Sequence, residues 1–511
     1  MGCGASAVCS SRVSAVLDSS RCCSSEHFFR DSCLTQGDED AALHERSAAE
    51  DCDGVTDGLD TFSDMGSTAL LEECEAAQRV AALPEGELFR DEDFPAEASS
   101  LSHSDPQAPH LGDVVWLRPH CTRQQPRKRA DLLRRSVSAC VGWQELVEEP
   151  RLLDEGRGSS AVRQGALGDC WLLSACAAVA QRPHLLRKVV PGRQPLRGAG
   201  YRGAVRVRLW RFGRWRCVLL DDRLPARGGA PLYASCAGAG AALFWVCFVE
   251  KAYAKLHGSY EALAGGHALE ALVDLTGGVA EKLRSSAALY PLLRDAFARG
   301  DLVTCAKKGN WASVSASRPA VMESGLARGH AYTVREVRHV RQAGRRPLRM
   351  VRVRNPWADH REWTGAWSDG DGRWQLLDEE TRREMGALQP APDGEFWMEF
   401  SDFQRHFSEI TVATLVPDLD CDVEGADAAT SNGNSAADRS RRYVEVCHGE
   451  WVAGRSAGGC RNDISKFTTN PQFLLTLTAS DPAKQCPWKR LTVLTTGRDS
   501  TILYCPRMHR W

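Results

Sequence analysis

Apolar residues in this chain fall into runs of distinct period. From Cys170 to Val179 (CWLLSACAAV) the sequence is apolar and Ala-rich, without Pro or Gly, which predicts a buried helix. Leu243 to Leu256 predicts a second helix, and Glu281 to Ala298 a third. Val205 to Leu220 (VRVRLWRFGRWRCVLL) alternates apolar and polar residues about Phe212-Gly213, the pattern of a hairpin. Val114 to Leu117 suits a short strand, as do His330 to Val334, Met350 to Val353 and Ile410 to Leu415. Leu88 to Leu101 reads as the entry to a folded region, and Gly265-Gly266 as a hinge. Residues 1–83, rich in Ser, Ala, Cys, Asp and Glu, keep no period and are expected to be a disordered tether. Residues 421–439 form a polar linker, and Tyr443 to Trp511 reads as β-rich.

Composition narrows the picture by exclusion. At 511 residues the chain has room for about three or four domains. A formal net charge of −2 gives no argument for nucleic acid as a partner. No stretch approaches the roughly 18 apolar residues that span a bilayer, and the first twenty residues lack the pattern of a secretory signal. The 20 cysteines follow no regular spacing, so reduced thiols in the cytoplasm are expected. No pair of CxxC motifs stands at zinc-ligand spacing. The amino terminus, Met1-Gly2-Cys3-Gly4-Ala5-Ser6, fits N-myristoylation of Gly2, with Cys3 placed for palmitoylation as the second anchor. Arg123, Arg127, Lys128, Arg129, Arg134 and Arg135 form a basic cluster, read first as a solvated loop and second as a contact for anionic headgroups. Asp418, Asp420 and Asp422 hint at a calcium loop, but Val423 and Ala429 stand where such a loop needs Gly and Glu.

The candidate chemistry centres on Gln164-Gly165-Ala166-Leu167-Gly168-Asp169-Cys170-Trp171. Cys170 opens the predicted helix, where aligned peptide dipoles favour a thiolate. Gln164 can donate its amide to a developing oxyanion, with the Cys170 backbone N–H as second donor. A thiol nucleophile also needs an acid–base group and a residue to orient it. His330, after Gly329 at a strand start, is the candidate base, and Asn355, closing a β-branched strand before Pro356, the candidate orienter. Trp357 and Trp363 are placed to shield that hydrogen bond. Each residue has a plainer reading. A Cys opening an apolar helix is usually core, a strand His is usually structural, and Asn-Pro is usually a turn. The order Cys, His, Asn nevertheless matches the papain-like arrangement.

Together these residues resemble the calpain family of papain-like cysteine proteases. The likeness runs from about residue 86 to 416. Besides QGALGDCW it includes Asp221-Asp222-Arg223-Leu224-Pro225, Glu250-Lys251-Ala252-Tyr253-Ala254-Lys255, Tyr260-Glu261-Ala262-Leu263 and Thr276-Gly277-Gly278. GHAYTV around His330, Arg354-Asn355-Pro356-Trp357, Glu362-Trp363-Thr364-Gly365-Ala366-Trp367 and Gly394-Glu395-Phe396-Trp397-Met398 follow in family order. The resemblance implies Cys170 as nucleophile, His330 as acid–base, Asn355 as orienter and Gln164 as oxyanion donor. It also implies an α+β fold with a two-lobed core, a helical Cys lobe over residues 84–265 and a β-rich His/Asn lobe over 266–416. A linker (417–440) and a partial calpain-type β-sandwich (441–511), about half of such a domain, would follow. Trp357 corresponds to the tryptophan that wedges the cleft in the calcium-free state. Calcium is the implied cofactor, with no organic one. Glu362, Asp369, Asp393 and Glu395, with the carbonyl of Ala391, match the second-lobe ligands, although one extra residue lies between Trp357 and Glu362. In the first lobe Gly156 fits a carbonyl position, but Ala161 and Leu243 replace the expected acids, so one calcium rather than two is expected. The implied function is limited cytoplasmic proteolysis of protein substrates at a membrane face. A catalytically silent, membrane-bound scaffold is the alternative, and acyl transfer by the same residues a third reading.

Overall fold

The structure, a computed structural model, describes residues 67–108, 111–120, 147, 149–153, 161–192, 194–211, 213–237, 242–307, 309, 321–341, 346–388 and 391–415, with short pieces between 452 and 504. Gly2, Cys3, the basic cluster of 123–135, Gly156 and the aspartates at 418–422 lie outside the described residues.

Five helices and eight strands position the candidate site. They are α1 (Ser67–Ala81), α2 (Cys170–Val179), the hairpin β1 (Ala204–Arg211) and β2 (Arg214–Asp221), α3 (Trp245–His257) and α4 (Ala268–Thr276). β3 (Val279–Leu283), α5 (Leu289–Arg299), β4 (Leu302–Lys307), β5 (His330–Val340), β6 (Leu348–Arg354), β7 (Glu395–Glu399) and β8 (Glu409–Thr414) complete the set. The predicted Cys170 helix has the expected bounds, and every one of its side chains is buried. The hairpin also forms as predicted. Trp210 and Trp215 pair beside its turn, with ring centroids 5.7 Å apart, and Gly213 takes the positive φ of 79° that the turn requires.

Two expectations are corrected. The tether expected over residues 1–83 contains α1, which packs on the hairpin. Glu73 forms a buried bidentate pair with Arg208 (2.8 and 2.6 Å), and Glu72 accepts from Arg216 and the Cys217 N–H. Tertiary partners on the hairpin thus hold a helix that is only weakly apolar overall. The single helix expected over Glu281 to Ala298 is instead strand β3, paired with β8, followed by α5. The helical period begins only at Leu289, where Leu289, Tyr290, Leu293 and Ala296 are buried.

The buried apolar residues form two main clusters. The first gathers α2, α3, α4 and the hairpin, and reaches to Ala280 with added contacts from Leu302 and Ala413. The second lies between α5 and a six-stranded antiparallel sheet of order β7-β6-β5-β4-β8-β3, and includes Leu293, Tyr332, Val353, Phe396 and Phe403. α4 therefore packs with the first cluster although it follows Gly265-Gly266. These glycines brace the nucleophile segment. The Gly265 N–H donates to the Gly168 carbonyl (3.0 Å), and a Cβ on Gly266 would collide with the Trp171 indole. In the tail, the structure describes a short helix, Ile464–Phe467, and a two-stranded pairing of Thr492–Val493 with Leu503–Tyr504. Among the described residues no helix is long and apolar enough to cross a membrane.

Candidate active site

Residues far apart in sequence meet where α2 packs against β5. The Thr333 hydroxyl donates to the Ser174 carbonyl (2.7 Å), pinning strand to helix. Ala331, the residue after His330, lies beside Cys170, where its N–H favours the thiolate. His330 starts β5 after Gly329, whose φ of 63° turns the chain into the strand. On the neighbouring strand, β6 ends at Arg354, which delivers Asn355 beside His330. The His330 Nε2 to Asn355 Oδ1 distance is 2.8 Å. The Asn355 amide N–H donates to the Arg361 carbonyl (3.0 Å), which fixes the amide with its oxygen toward the imidazole. Trp357 covers this bond, its ring centroid 4.5 Å from that of His330, and Arg361 lies over Trp357 at 5.3 Å. Trp363 does not join it and turns instead to His406, at 5.0 Å.

Gln164 is tied to the same loop, because its backbone N–H donates to the Pro356 carbonyl (2.8 Å). Its side-chain Nε2 donates to the Leu167 carbonyl (2.7 Å), leaving one amide hydrogen to offer, while Oε1 is buried without a hydrogen-bond partner. Gly165 is required here, since a Cβ would collide with the Tyr233 carbonyl oxygen.

The electrostatics correct one expectation. The N–H groups at the amino end of α2 lower the Cys170 thiol, but burial outweighs them. Burial pushes it up to about 12, and the charge of Asp169 adds to this, against lowering contacts from the N–H groups of Ala331 and Trp171. The thiol is therefore neutral at pH 7 in this arrangement, and its ionisation requires a proton acceptor at His330. Sequence reasoning also missed the buried neighbour of this site, Glu250. Its signal was an acid, next to Lys251, in the middle of the mostly apolar Trp245–Tyr253 run.

The candidate metal ligands are divided. Glu362, Asp369 and Asp393 repel one another. Burial first, then the charges of Asp369 and Asp393, raise Glu362 to about 7, and burial with Asp393 raises Asp369. A hard cation suits such a set of mutually repelling oxygens. Glu362 also accepts the Gly394 N–H (2.8 Å), and the Ala391 carbonyl accepts from Asp393 (2.7 Å). Glu395 faces three guanidinium groups, Arg352 (2.7 Å), Arg354 (3.0 Å) and Arg335 (3.3 Å). Among the described residues no three acid, imidazole or thiol groups converge as a metal site. On the first-cluster side, Ala161 sits in a two-stranded ladder opposite Ala237, and Leu243 is buried in the core, so neither position offers a carboxylate.

Comparison with known proteins agrees with the motif order. A family model described as calpain family cysteine protease matches residues 89–414, and one described as calpain large subunit, domain III, matches residues 447–500. Rat calpain-9 is 38% identical over 411 residues, which is 80% of this chain and 52% of that protein. Human calpain-12 is 37% identical over 413 residues (79% and 50%). Calpain-A of Drosophila melanogaster is 36% identical over 409 residues (78% and 44%). The chain spans about half the length of the curated relatives it matches.

Proposed function

The chain belongs to the calpain family of cysteine proteases, and from that premise we propose that it is a thiol endopeptidase making limited cuts in protein substrates. The observation that carries this reading is the meeting of Cys170 with the start of β5, where His330 already holds Asn355 at 2.8 Å. His330 takes the thiol proton as the Cys170 sulfur attacks the peptide carbonyl. Asn355 keeps the imidazole in one tautomer and orientation, and Trp357 keeps water from that bond. The remaining Gln164 amide hydrogen and the Cys170 N–H stabilise the oxyanion. His330 then protonates the leaving amine, and water attacks the acyl-enzyme with His330 as base.

The two apolar clusters correspond, in this proposal, to the two lobes of a papain-like core, and residues 441–511 to part of a β-sandwich. Glu362, Asp369 and Asp393, with the Ala391 carbonyl, would hold one calcium ion. Glu395 would serve mainly through its arginines. Calcium would supply positive charge that relieves repulsion among those carboxylates. Acylation of Gly2 and Cys3 would hold the enzyme at the cytosolic face of a membrane.

Two experiments test this. An irreversible thiol-directed epoxide probe should label the wild-type chain and not Cys170→Ala. No labelling with or without calcium would favour the silent scaffold. Calorimetric titration with calcium should show one site, weakened by Glu362→Gln. Two tight sites would refute the assignment.

A further inference from the structure

Behind Cys170 lies a pair of buried acids that the mechanism above does not use. Asp169 immediately precedes the nucleophile, occupies the N-cap position of α2 and is fully buried. Its side chain caps no backbone N–H of the helix, and neither of its carboxyl oxygens has a donor from another residue. Its side-chain partner is Glu250 of α3, 2% exposed, in a carboxyl–carboxyl contact. Ionised carboxylates only accept hydrogen bonds, so such a contact requires a proton between the two groups.

The pair joins three parts of the site. Glu250 accepts the Ala234 N–H on both oxygens, at 3.1 and 3.0 Å. The segment leading to Ala234 holds the Gln164 turn, because the Ala166 N–H donates to the Leu232 carbonyl (3.1 Å) and Gly165 lies against Tyr233. Asp169 begins the nucleophile helix, accepting on its carbonyl from Leu172 and Leu173 (2.9 and 3.1 Å). The titratable groups that feel the pair are Cys170 and Cys176 on α2, Cys247 on α3, and Tyr233 and Tyr260 beside them. Burial holds all five neutral at pH 7.

We propose that Asp169 and Glu250 are positioning residues for Cys170. They share one proton, they hold the nucleophile helix and the Gln164 turn on α3, and their summed charge sets how readily the thiol ionises. The proposal rests on Cys170 being the nucleophile. With one shared proton the pair carries a single negative charge. When that proton leaves at higher pH, a second negative charge appears beside Cys170 and opposes thiolate formation. Burial, joined for Glu250 by the charge of its partner, holds both carboxyls above their usual range, which supports a retained proton.

The test is the rate of iodoacetamide alkylation at Cys170 against pH, read by mass spectrometry on the full chain. Wild type is compared with Asp169→Asn, Glu250→Gln and the double variant, which keeps an amide hydrogen bond and removes both charges. The double variant should shift the thiol's inflection toward acid by about 1 unit, with each single variant between it and wild type. A pair that only braced the fold would change stability and leave the inflection in place. Superimposable profiles for wild type and a folded double variant would overturn the proposal. Infrared spectra need no variant. A protonated buried carboxyl band is expected in wild type at pH 7, and its absence would overturn the shared proton. Alkylation requires no turnover, so hydrolysis by Cys170→Ala decides the catalytic reading separately.

Discussion

Replacing Lys251 by Met probes the ion network between α3 and the end of the hairpin. Lys251 is fully buried on α3. All three of its ammonium hydrogens are engaged, by the Asp221 carboxylate (2.6 Å), the Asp221 carbonyl (2.8 Å) and the Arg223 carbonyl (2.6 Å). The ammonium also lies 5.5 Å from the Trp116 ring centroid. Met fills nearly the same volume, so the cavity contribution is small and the electrostatic one dominates. Loss of the ammonium strands two carbonyl oxygens, each costing about 1–3 kcal/mol. Asp221 keeps Arg223 (3.0 and 2.5 Å) and the Asp91 N–H (3.1 Å), so it is not left alone. The sum falls in the range of about 3–5 kcal/mol found when one partner of a buried pair is removed. Urea unfolding followed by tryptophan fluorescence reads this as a lower midpoint with an unchanged slope. Arg383→Met, breaking the exposed pair with Glu379, is the control and should change stability by less than about 0.5 kcal/mol. Acid adds a second readout. Burial alone would raise Asp221, but Lys251 and Arg223 hold it below its ordinary value. It therefore contributes stability above the unfolded carboxylate range, and that contribution is lost as pH falls through the depressed folded value. Without Lys251 the folded value rises, so acid unfolding of the variant should begin at a higher pH. A loss under about 1 kcal/mol, with no change in the acid transition, would refute the reasoning.

Other substitutions probe the site itself. Asn355→Ala should lower kcat by about 100-fold or more with little change in KM, because it frees the imidazole without touching bound substrate. Equal effects on kcat and KM would contradict that role. Gly165→Ala should destabilise the Gln164 turn and reduce hydrolysis, since the added carbon meets the Tyr233 backbone, which cannot swing away; an active variant of wild-type stability would contradict this. Ala358→Gly should stabilise the fold by up to about 1 kcal/mol, because Ala358 adopts a φ of 50° that costs a side-chain-bearing residue. A lower melting temperature would contradict that reading.

Much of this arrangement was legible before any coordinates. The Cys170 helix and the hairpin carry long, unbroken patterns; His330 opens one strand and Asn355 directly follows another. What failed to show depends on contacts between distant segments. α1 is a weakly apolar helix until Arg208 and Arg216 from the hairpin meet Glu73 and Glu72. β3 is too short to display a period, and its partner is β8, more than a hundred residues later. The pairing of Asp169 with Glu250 joins neighbours in space that no local spacing predicts. The rise of the Cys170 thiol likewise follows from its burial, which outweighs the lowering by N–H groups at the helix start.

The central claim is that Cys170 attacks peptide bonds with His330 as its base. Hydrolysis of a fluorogenic peptide by the purified full chain, with and without calcium, tests it most directly. The account predicts turnover that Cys170→Ala and His330→Ala each abolish while both variants remain folded. Undiminished turnover in folded Cys170→Ala would contradict it.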